Sequence, residues 1–444
     1  MRGVPGLVPL LVAALALSGC ASAKNFLGMG SYKTPLPGTR VSVLQLNQSL
    51  AADPALADVK VLLPQPFANP DWPQAGGYPS HAMHHLALGS NLRVAWTVRV
   101  GSGDSADNRL LSEPIMAEGR VYAMDARSRV SAFDAGSGGE IWHIDIGKDV
   151  DSAKLLGGGL AYDSGKIFVA TSFAQLIALD AKSGKELWHT DLSAPMRASP
   201  AASDGRVFVI TIDNNLYALA QQDGRKLWQH SGITQSAGLL GGTTPAVLGI
   251  LVVAAYSSGE MFALRADSGR TMWSENLAGQ ARSGAVATLA DIRGRPIIDR
   301  ELVIAISHSG IMAGVDAKRG GRIWDANFGG SQSPWVAGDY IFVVTNEQDL
   351  LCVNRADGHV RWISALPKFS DPPDNTEAII WQGPILAGDR LILTGTDGKA
   401  LAVSPYTGKL LGQIDLPSET HLPPIVANGT VYILSDNADL TALR

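Results

Sequence analysis

Ala178-Leu-Asp-Ala-Lys-Ser-Gly-Lys-Glu-Leu-Trp188 is the stretch of the sequence that decides the fold. Asp180 stands where its carboxylate can accept backbone N–H groups ahead of it, and Gly184 permits a positive φ, as a tight turn requires. The small Ala178 leaves room beside the large Trp188, a pairing that suits packing between neighbouring layers. The stretch therefore predicts a strand, a tight turn and a second strand that contains Trp188.

The same pattern recurs along most of the chain. Further copies occupy residues 132–142, 218–228, 263–273, 314–324 and 353–362, and a degenerate copy at 402–411 has Leu411 in place of Trp. We call the Trp position at the end of each copy the marker position. With Trp96 included, it falls at residues 96, 142, 188, 228, 273, 324, 362 and 411. A spacing of about 45 residues is typical of one four-stranded blade of a β-propeller.

The ends of the repeat region indicate how many blades there are. The final copy, residues 424–444, contains two strand patterns, Thr430–Leu434 and Asp439–Leu443, but no turn or Trp after them. Residues 91–98 carry Trp96 with no blade in front of it, and pairing the two segments would remove two unpaired edges. The sequence thus predicts an all-β, eight-bladed propeller at residues 76–444 with four-stranded antiparallel blades, closed by residues 92–100.

The first residues have the pattern of a targeting segment. Arg2 precedes an apolar run too short to span a bilayer, which ends in Leu17-Ser18-Gly19-Cys20 and so resembles a bacterial lipobox. We expect residues 1–19 to be a signal peptide and Cys20 to be lipidated; the alternative is an ordinary signal peptide with an incidental Cys. Ala21 after the Cys resembles an outer-membrane address.

Residues 20–75 are predicted to be a tether, because prolines are frequent there among small and polar residues. A short helix is expected near residues 50–60. If Cys20 carries lipid, Cys352 has no partner and an intramolecular disulfide is excluded. The formal net charge of −5 gives no reason to expect nucleic acid or an anionic membrane surface as a partner.

Two features carry a resemblance to a known family. The repeat resembles the tryptophan-docking motif of propellers of the pyrroloquinoline quinone (PQQ) type, and Trp72-Pro73-Gln74-Ala-Gly76-Gly77 resembles their lead-in segment. A lipobox followed by one such propeller resembles the BamB family, lipoproteins of the outer-membrane β-barrel assembly (Bam) machinery. The resemblance implies a lipid-anchored scaffold on the periplasmic face of the outer membrane, with no cofactor. Its partners would be the POTRA domains of BamA, the other Bam lipoproteins and unfolded outer-membrane proteins.

The resemblance also indicates where the partner would bind. BamB proteins contact BamA through two inter-blade loops, and the matching stretches here are residues 237–241 and 289–296. Leu239, Gly241 and Asp291 match the family pattern, whereas Leu240 replaces an Arg and Arg293 replaces an Asp. We expect these five residues to bind the partner, with Leu239 and Leu240 as an apolar anchor. Asp291, Arg293 and Arg295 would form the charged border of this binding surface. The alternative is that the two stretches are loose loops without a binding role.

Two other functions stay open. A PQQ-dependent dehydrogenase would resemble a propeller with adjacent cysteines joined by a disulfide and a calcium site, but this chain has no adjacent Cys pair. Its carboxylates recur at turn positions, as Asp134, Asp180 and Asp316 do, which favours a structural role, and no catalytic residue is predicted. The third possibility is a propeller that binds another envelope protein or a cell-wall ligand.

Several segments do not follow the repeat. His81-Ala-Met-His84-His85 has residue types that bind metals, but no carboxylate or Cys lies close in sequence, which favours a surface loop over a metal site. Trp72, Trp335 and Trp381 lie outside the repeat marker, and the last two, at blade starts, are predicted to serve packing. The loops at residues 101–111, 279–299 and 367–377 depart from the blade template and are expected to project from the rims.

Overall fold

A computed structural model describes residues 50–147, 156–235, 238–279 and 289–444 of the chain. These residues form eight four-stranded antiparallel sheets, one two-stranded hairpin and a single short helix, the 3₁₀ turn Pro54–Leu56. The predicted all-β, eight-bladed propeller is therefore confirmed. The predicted signal peptide, Cys20 and the first part of the predicted tether lie outside the described residues.

Blades 1 to 4 each use four consecutive strands. Blade 1 contains β2 (Ile115–Ala117), β3 (Arg120–Met124), β4 (Arg129–Asp134) and β5 (Glu140–Asp145). Blade 2 contains β6 (Gly158–Asp163), β7 (Lys166–Thr171), β8 (Gln175–Asp180) and β9 (Glu186–Asp191). Blade 3 contains β10 (Ala201–Ser203), β11 (Arg206–Ile210), β12 (Asn215–Ala220) and β13 (Lys226–Ser231). Blade 4 contains β14 (Ala246–Leu248), β15 (Leu251–Ala255), β16 (Glu260–Arg265) and β17 (Thr271–Asn276).

Blades 5 to 7 repeat this order, and blade 8 does not. Blade 5 contains β18 (Ile297–Asp299), β19 (Leu302–Ile306), β20 (Met312–Asp316) and β21 (Arg322–Ala326). Blade 6 contains β22 (Trp335–Ala337), β23 (Tyr340–Val344), β24 (Asp349–Asn354) and β25 (Val360–Ala365), and the hairpin of β26 (Phe369–Asp371) and β27 (Thr376–Ala378) follows it. Blade 7 contains β28 (Trp381–Ala387), β29 (Arg390–Gly395), β30 (Lys399–Val403) and β31 (Leu410–Asp415). Blade 8 combines β32 (Ile425–Ala427), β33 (Thr430–Leu434) and β34 (Asp439–Leu443) with β1 (Val94–Arg99).

Ring closure occurs where the sequence predicted it. Strand β1 pairs antiparallel with β34, and Trp96 lies directly opposite Ala442. The Thr97 and Thr441 hydroxyls lie 3.2 Å apart across this pair. The last blade thus receives its fourth strand from the N-terminal side of the repeat region, which leaves neither segment as an open edge.

The marker tryptophans join each blade to the next one. In seven blades the indole Nε1–H donates to a backbone carbonyl oxygen in the turn between the third and fourth strands of the following blade, over 2.8 to 3.2 Å. Within its own blade, the Trp lies opposite a small residue, such as Ala178 opposite Trp188. The predicted pairing of small and large residues is confirmed, and it serves packing between blades.

The degenerate copy at Leu411 has a structural explanation. Strand β31 of blade 7 faces blade 8, whose third and fourth strands, β34 and β1, are not consecutive in the chain. No tight turn joins those two strands, so the carbonyl group that receives the indole in the other blades has no counterpart there. A Trp at position 411 would lack its docking site.

Each turn that accepts an indole hydrogen bond from the preceding blade contains a glycine that contacts the same indole. A Cβ atom on Gly358 would lie 2.5 Å from Cε3 of Trp324, and the residue has a φ of +75°. Gly205 has nearly the same φ, +74°, but a Cβ atom there would meet nothing within 4 Å. The two glycines therefore differ in packing and hardly at all in backbone conformation.

We expect Gly358→Ala to destabilise the protein more than Gly205→Ala does. Both changes incur the left-handed backbone penalty of about 1–2 kcal/mol, and Gly358→Ala adds about 1–3 kcal/mol of overpacking against the indole. Chemical denaturation of the two variants measures the difference in the free energy of unfolding. Equal losses in the two variants would show that the Trp–Gly contact contributes nothing.

Residues 69–88, the inner segment, run along the first strands of all eight blades. First strands contact one another between blades 1 and 2, 2 and 3, 3 and 4, 4 and 5, and 6 and 7, and we call the space that the first strands surround the central channel. Hydrogen bonds join the inner segment to blade 8 through Asn69, blade 1 through Trp72, blade 2 through Pro73, blade 3 through Gln74, blade 4 through Pro79, blade 5 through Ser80, blade 6 through His84 and blade 7 through Leu86. The inner segment contacts the blades in their order around the ring, and its hydrogen bonds link all eight of them.

Contact with the propeller also begins earlier than the boundary expected at residue 76. The backbone N–H of Asp53 donates to the carbonyl oxygen of Val360, Arg361 donates to the carbonyl oxygen of Val59, and Val61 and Trp72 belong to the core. Residues 50–75 are thus held against the propeller at several points and are not a free tether, although most side chains of residues 50–68 are exposed. Pro-rich composition misled the prediction, because an extended segment with few internal hydrogen bonds can dock on a ring as well as span a gap.

Candidate functional site

The two stretches predicted to bind the partner lie side by side. The backbone N–H of Leu239 donates to Oδ2 of Asp291 over 2.8 Å, and Nε of Arg293 donates to the carbonyl oxygen of Leu240 over 2.9 Å. One stretch leads into blade 4 and the other into blade 5, so successive inter-blade loops meet at this point. We call residues 238–241 and 289–293 the loop surface; Ala237 lies outside the described residues.

The five predicted residues differ in their exposure. Leu240 is 43% exposed and presents its side chain to solvent, whereas Leu239, Gly241 and Arg293 are half-buried. Asp291 is only 6% exposed, and burial raises the pKa of its carboxyl against the opposing effect of the Leu239 N–H. Asp291 therefore holds the first loop in place, and the expectation that it forms a charged border is wrong.

Arg295 does not lie on that border either. Its side chain turns into the molecule, where Nη1 lies 2.5 Å from Oε1 of Glu113, and both side chains are largely buried. Arg295 stands directly before Pro296 and strand β18. At this position its side chain lines the central channel. The repeat pattern does not reveal Glu113 and Arg197, although each stands shortly before a Pro that leads into the first strand of a blade.

A cavity adjoins the loop surface. Its lining includes Leu239, Gly241 and Asp291 from the two loops, together with Arg197 and Asn214 from the neighbouring blade. A concave region beside an exposed leucine is typical of a surface that accepts a protruding side chain from a protein partner. The geometry of the loop surface therefore suits protein binding better than it suits chemistry on a small molecule.

The turn carboxylates have the structural role that their repetition indicated. Oδ1 of Asp134, of Asp180 and of Asp316 each accepts a hydrogen bond from the backbone N–H three residues later, over 2.7 to 2.8 Å. The Ser137 hydroxyl and backbone N–H lower the pKa of Asp134. These three carboxylates stabilise the turns that accept the tryptophan indoles. Their arrangement favours a structural role over a catalytic one.

His81 and His85 are buried and His84 is partly exposed, so the prediction of a surface loop is wrong. Nδ1 of His81 lies 2.7 Å from the carbonyl oxygen of Pro296, and Nδ1 of His85 lies 2.8 Å from that of Pro64. His84 contacts Asp299, with Nε2 3.4 Å from Oδ1. The three rings face different partners because the inner segment turns at this point, with left-handed backbone at His81 and His84. Within the described parts of the chain, no group of three or more His, Cys, Asp or Glu could hold a metal ion.

Burial of His81 predicts a specific loss of stability in acid. Burial, with the nearby Arg295 charge, lowers the pKa of His81 to about 3, whereas an unfolded histidine titrates near 6.5. The unfolded chain therefore binds a proton between those pH values that the folded chain does not, and stability falls as pH decreases through this window.

We expect His81→Asn to lose about 2 kcal/mol less stability than the wild type between pH 7 and pH 5. Asn tolerates the φ of +61° at this position and can still donate to the Pro296 carbonyl. Urea unfolding at a series of pH values measures the two slopes. Parallel pH profiles would show that His81 does not carry this titration.

The chain resembles known proteins in sequence. The family model described as outer membrane protein assembly factor BamB matches residues 87–149 and 126–364. Outer membrane protein assembly factor BamB of Alkalilimnicola ehrlichii is 35% identical over 351 residues, which cover 79% of this chain and 87% of the relative. The protein of the same name from Salmonella typhimurium is 26% identical over 79% of this chain and 88% of its own length.

Solved structures share the fold. BamB from Moraxella catarrhalis aligns with a TM-score of 0.68 at 19% identity and covers 80% of this chain and all of its own. A europium-containing methanol dehydrogenase aligns with a TM-score of 0.67 at 16% identity, over 84% of this chain and 98% of its own. Among the described residues, no helix is long and apolar enough to cross a membrane. By its family-model match and its identity to curated relatives, the chain belongs to the BamB family of outer membrane protein assembly factors.

Proposed function

We propose that this protein is a non-catalytic scaffold of the outer-membrane β-barrel assembly machinery. The observation that carries the proposal is the 35% identity to an outer membrane protein assembly factor over most of both chains. The single closed propeller supports it, because a rigid ring presents inter-blade loops to a partner without itself moving. The protein would work on the periplasmic face of the outer membrane, held there by lipid on Cys20.

The partner would be the POTRA domains of BamA, in a complex that includes the other Bam lipoproteins. The loop surface supports this choice, since it combines the exposed Leu240, an adjoining cavity and the half-buried Arg293. Arg293 bonds the Leu240 carbonyl and so fixes the shape of the apolar anchor. Unfolded outer-membrane proteins would be passed on by the assembled machinery.

Absence of turnover is part of the proposal. The chain has two cysteines, and they are not adjacent, so it lacks the disulfide that the quinone-dehydrogenase resemblance implies. The repeated Asp residues are occupied in turns. The likeness to the methanol dehydrogenase, at 16% identity, shows the fold alone.

Co-purification from membranes tests the scaffold role. The full chain, tagged at its C-terminus and produced at its natural level, would be captured from membranes solubilised in a mild detergent. Mass spectrometry should recover BamA and the other Bam lipoproteins in amounts comparable to the bait. Recovery of the folded propeller without BamA would overturn the proposal.

Cys20→Ala tests the lipid anchor. The thiol is the only group at the lipobox that can accept the lipid, so the variant should leave the membrane fraction or stay unprocessed. Membrane fractionation and the electrophoretic mobility of the variant measure this outcome, with Cys352→Ala as the matched control. A Cys20→Ala protein that fractionates and migrates like the wild type would contradict lipidation.

A further inference from the structure

A second cavity lies in the central channel of the ring. Many of its lining residues stand just before the first strands of the blades, among them Glu113, Arg197, Arg293 and Ser333. The inner segment contributes Trp72 and His81 to the same lining. The indoles of Trp72 and Trp335, which also belong to it, stack with centroids 6.2 Å apart and an interplanar angle of 14°.

The lining has an excess of positive charge. It includes three arginines, Arg197, Arg293 and Arg295, but Glu113 is its one carboxylate among the described residues. Glu113 is occupied by Arg295. Arg293 donates to the carbonyl oxygens of Leu240 and Ser331, which carry no formal charge, and Arg197 has no carboxylate partner in the described chain. Among the described residues, neither Arg197 nor Arg293 thus forms a direct ion pair with a carboxylate at this cavity.

Burial makes this arrangement costly. Burial lowers the pKa of Arg293, and the charge of Arg295 lowers it further, while the charges of Asp291 and Glu113 oppose part of this shift. A cation that is partly removed from water and close to another cation is stabilised by any anion that enters the site. The cavity therefore favours a negatively charged occupant over a neutral one.

Unpaired polar atoms are concentrated at the same cavity. Trp72 Nε1, His81 Nε2, Glu113 Oε2 and Arg295 Nε are buried and have no hydrogen-bond partner in the described chain, and all four residues line the cavity. His81 is only 5% exposed. Because its Nδ1 must donate to the Pro296 carbonyl, its Nε2 is a free acceptor. Buried polar groups are nearly always paired, so four such atoms at one place indicate a ligand with oxygen acceptors and a hydroxyl or amide donor.

We propose that the central channel contains a binding site for a small oxyanionic ligand, one bearing a carboxylate or phosphate group, held by Arg197 and Arg293. Planar guanidinium groups bind both kinds of oxyanion through paired N–H donors. The proposal does not depend on the scaffold role, because it concerns ligand binding by the isolated chain, although Arg293 belongs both to the loop surface and to the channel lining.

Thermal unfolding of the purified full chain in detergent tests this site. Sodium phosphate and sodium acetate would be titrated separately, each against sodium chloride at matched ionic strength. A ligand that binds the folded state alone raises the melting temperature in a saturable way, and we expect a rise of a few degrees from at least one of the two anions. The more effective anion identifies the phosphate or the carboxylate class. Failure of both to exceed chloride would overturn the proposal.

Arg197→Gln provides the specific variant, and Arg225→Gln is its matched control. Both residues belong to the blade 3 region and both changes remove one positive charge, but Arg225 is 69% exposed and does not line the cavity. The anion-induced shift should fall at least severalfold in Arg197→Gln, persist in Arg225→Gln and return in part in Arg197→Lys. Isothermal titration calorimetry on the same proteins gives a readout that is independent of their basal stability. Equal shifts in Arg197→Gln and Arg225→Gln would show that the anions act on the general surface and would contradict the site.

Discussion

Deletion of residues 91–100 should make the protein aggregate or melt at a far lower temperature. The deletion removes β1, so β34 loses its partner along the whole strand and blade 8 is left with an open edge. It also removes Trp96, whose indole lies 5.8 Å from the Tyr432 ring and donates to the Ala135 carbonyl in blade 1. Truncation of one large core aromatic costs about 3–5 kcal/mol, and a whole domain is stable by only about 5–15 kcal/mol. Calorimetry and size-exclusion chromatography measure the outcome.

Deletion of residues 369–378 is the matched control for the closing strand. It removes the same number of residues, but these form the exposed hairpin of β26 and β27, which belongs to no blade. The control should remain monomeric with a nearly unchanged melting temperature. A soluble, monomeric 91–100 deletion that melts like the control would refute ring closure by β1.

Leu240→Asp should weaken binding to the POTRA domains of BamA by more than tenfold. The side chain is 43% exposed on the loop surface, and the charge would have to be buried against the partner. A central apolar anchor typically contributes more than about 2 kcal/mol to a protein interface, which corresponds to well over tenfold in affinity. Its melting temperature should hardly change, since the side chain contacts solvent and its carbonyl bond to Arg293 is kept.

Leu248→Asp is the matched control for the loop surface. Leu248 is 49% exposed in the same blade, but it ends β14 at the turn into β15, away from the inter-blade loops. Binding should survive this change. Equal weakening by both variants, or unchanged binding by Leu240→Asp, would locate the interface elsewhere on the ring. Asp291 is unsuitable for this test, because its bond to the Leu239 N–H makes it part of the loop's internal structure.

Much of the fold could be predicted because its determinants are local and repeated. The Asp–Gly turn, the marker Trp and the small residue opposite it are close in sequence, and their repetition reveals the blades without knowledge of long-range contacts. Even ring closure could be predicted. Trp96 has no blade before it and the strand Asp439–Leu443 has no fourth strand after it, so each segment supplies what the other lacks.

The inner segment could not be predicted in the same way. Its contacts join residues such as His81 and Pro296, or Asn69 and Val426, that are far apart in the sequence and follow no period. Its prolines and histidines are equally compatible with a free surface segment, and only the tertiary path decides between the two. The inward turn of Arg295 has the same origin, since neighbouring residues of one loop face the rim and the channel.

Titration of the purified POTRA domains of BamA against the full chain in detergent tests the central claim most directly. Isothermal titration calorimetry should show saturable binding with one POTRA array per propeller and a dissociation constant in the micromolar range or below. A folded, monomeric propeller that gives no binding heat and no co-migrating complex at POTRA concentrations far above that range would contradict the scaffold role.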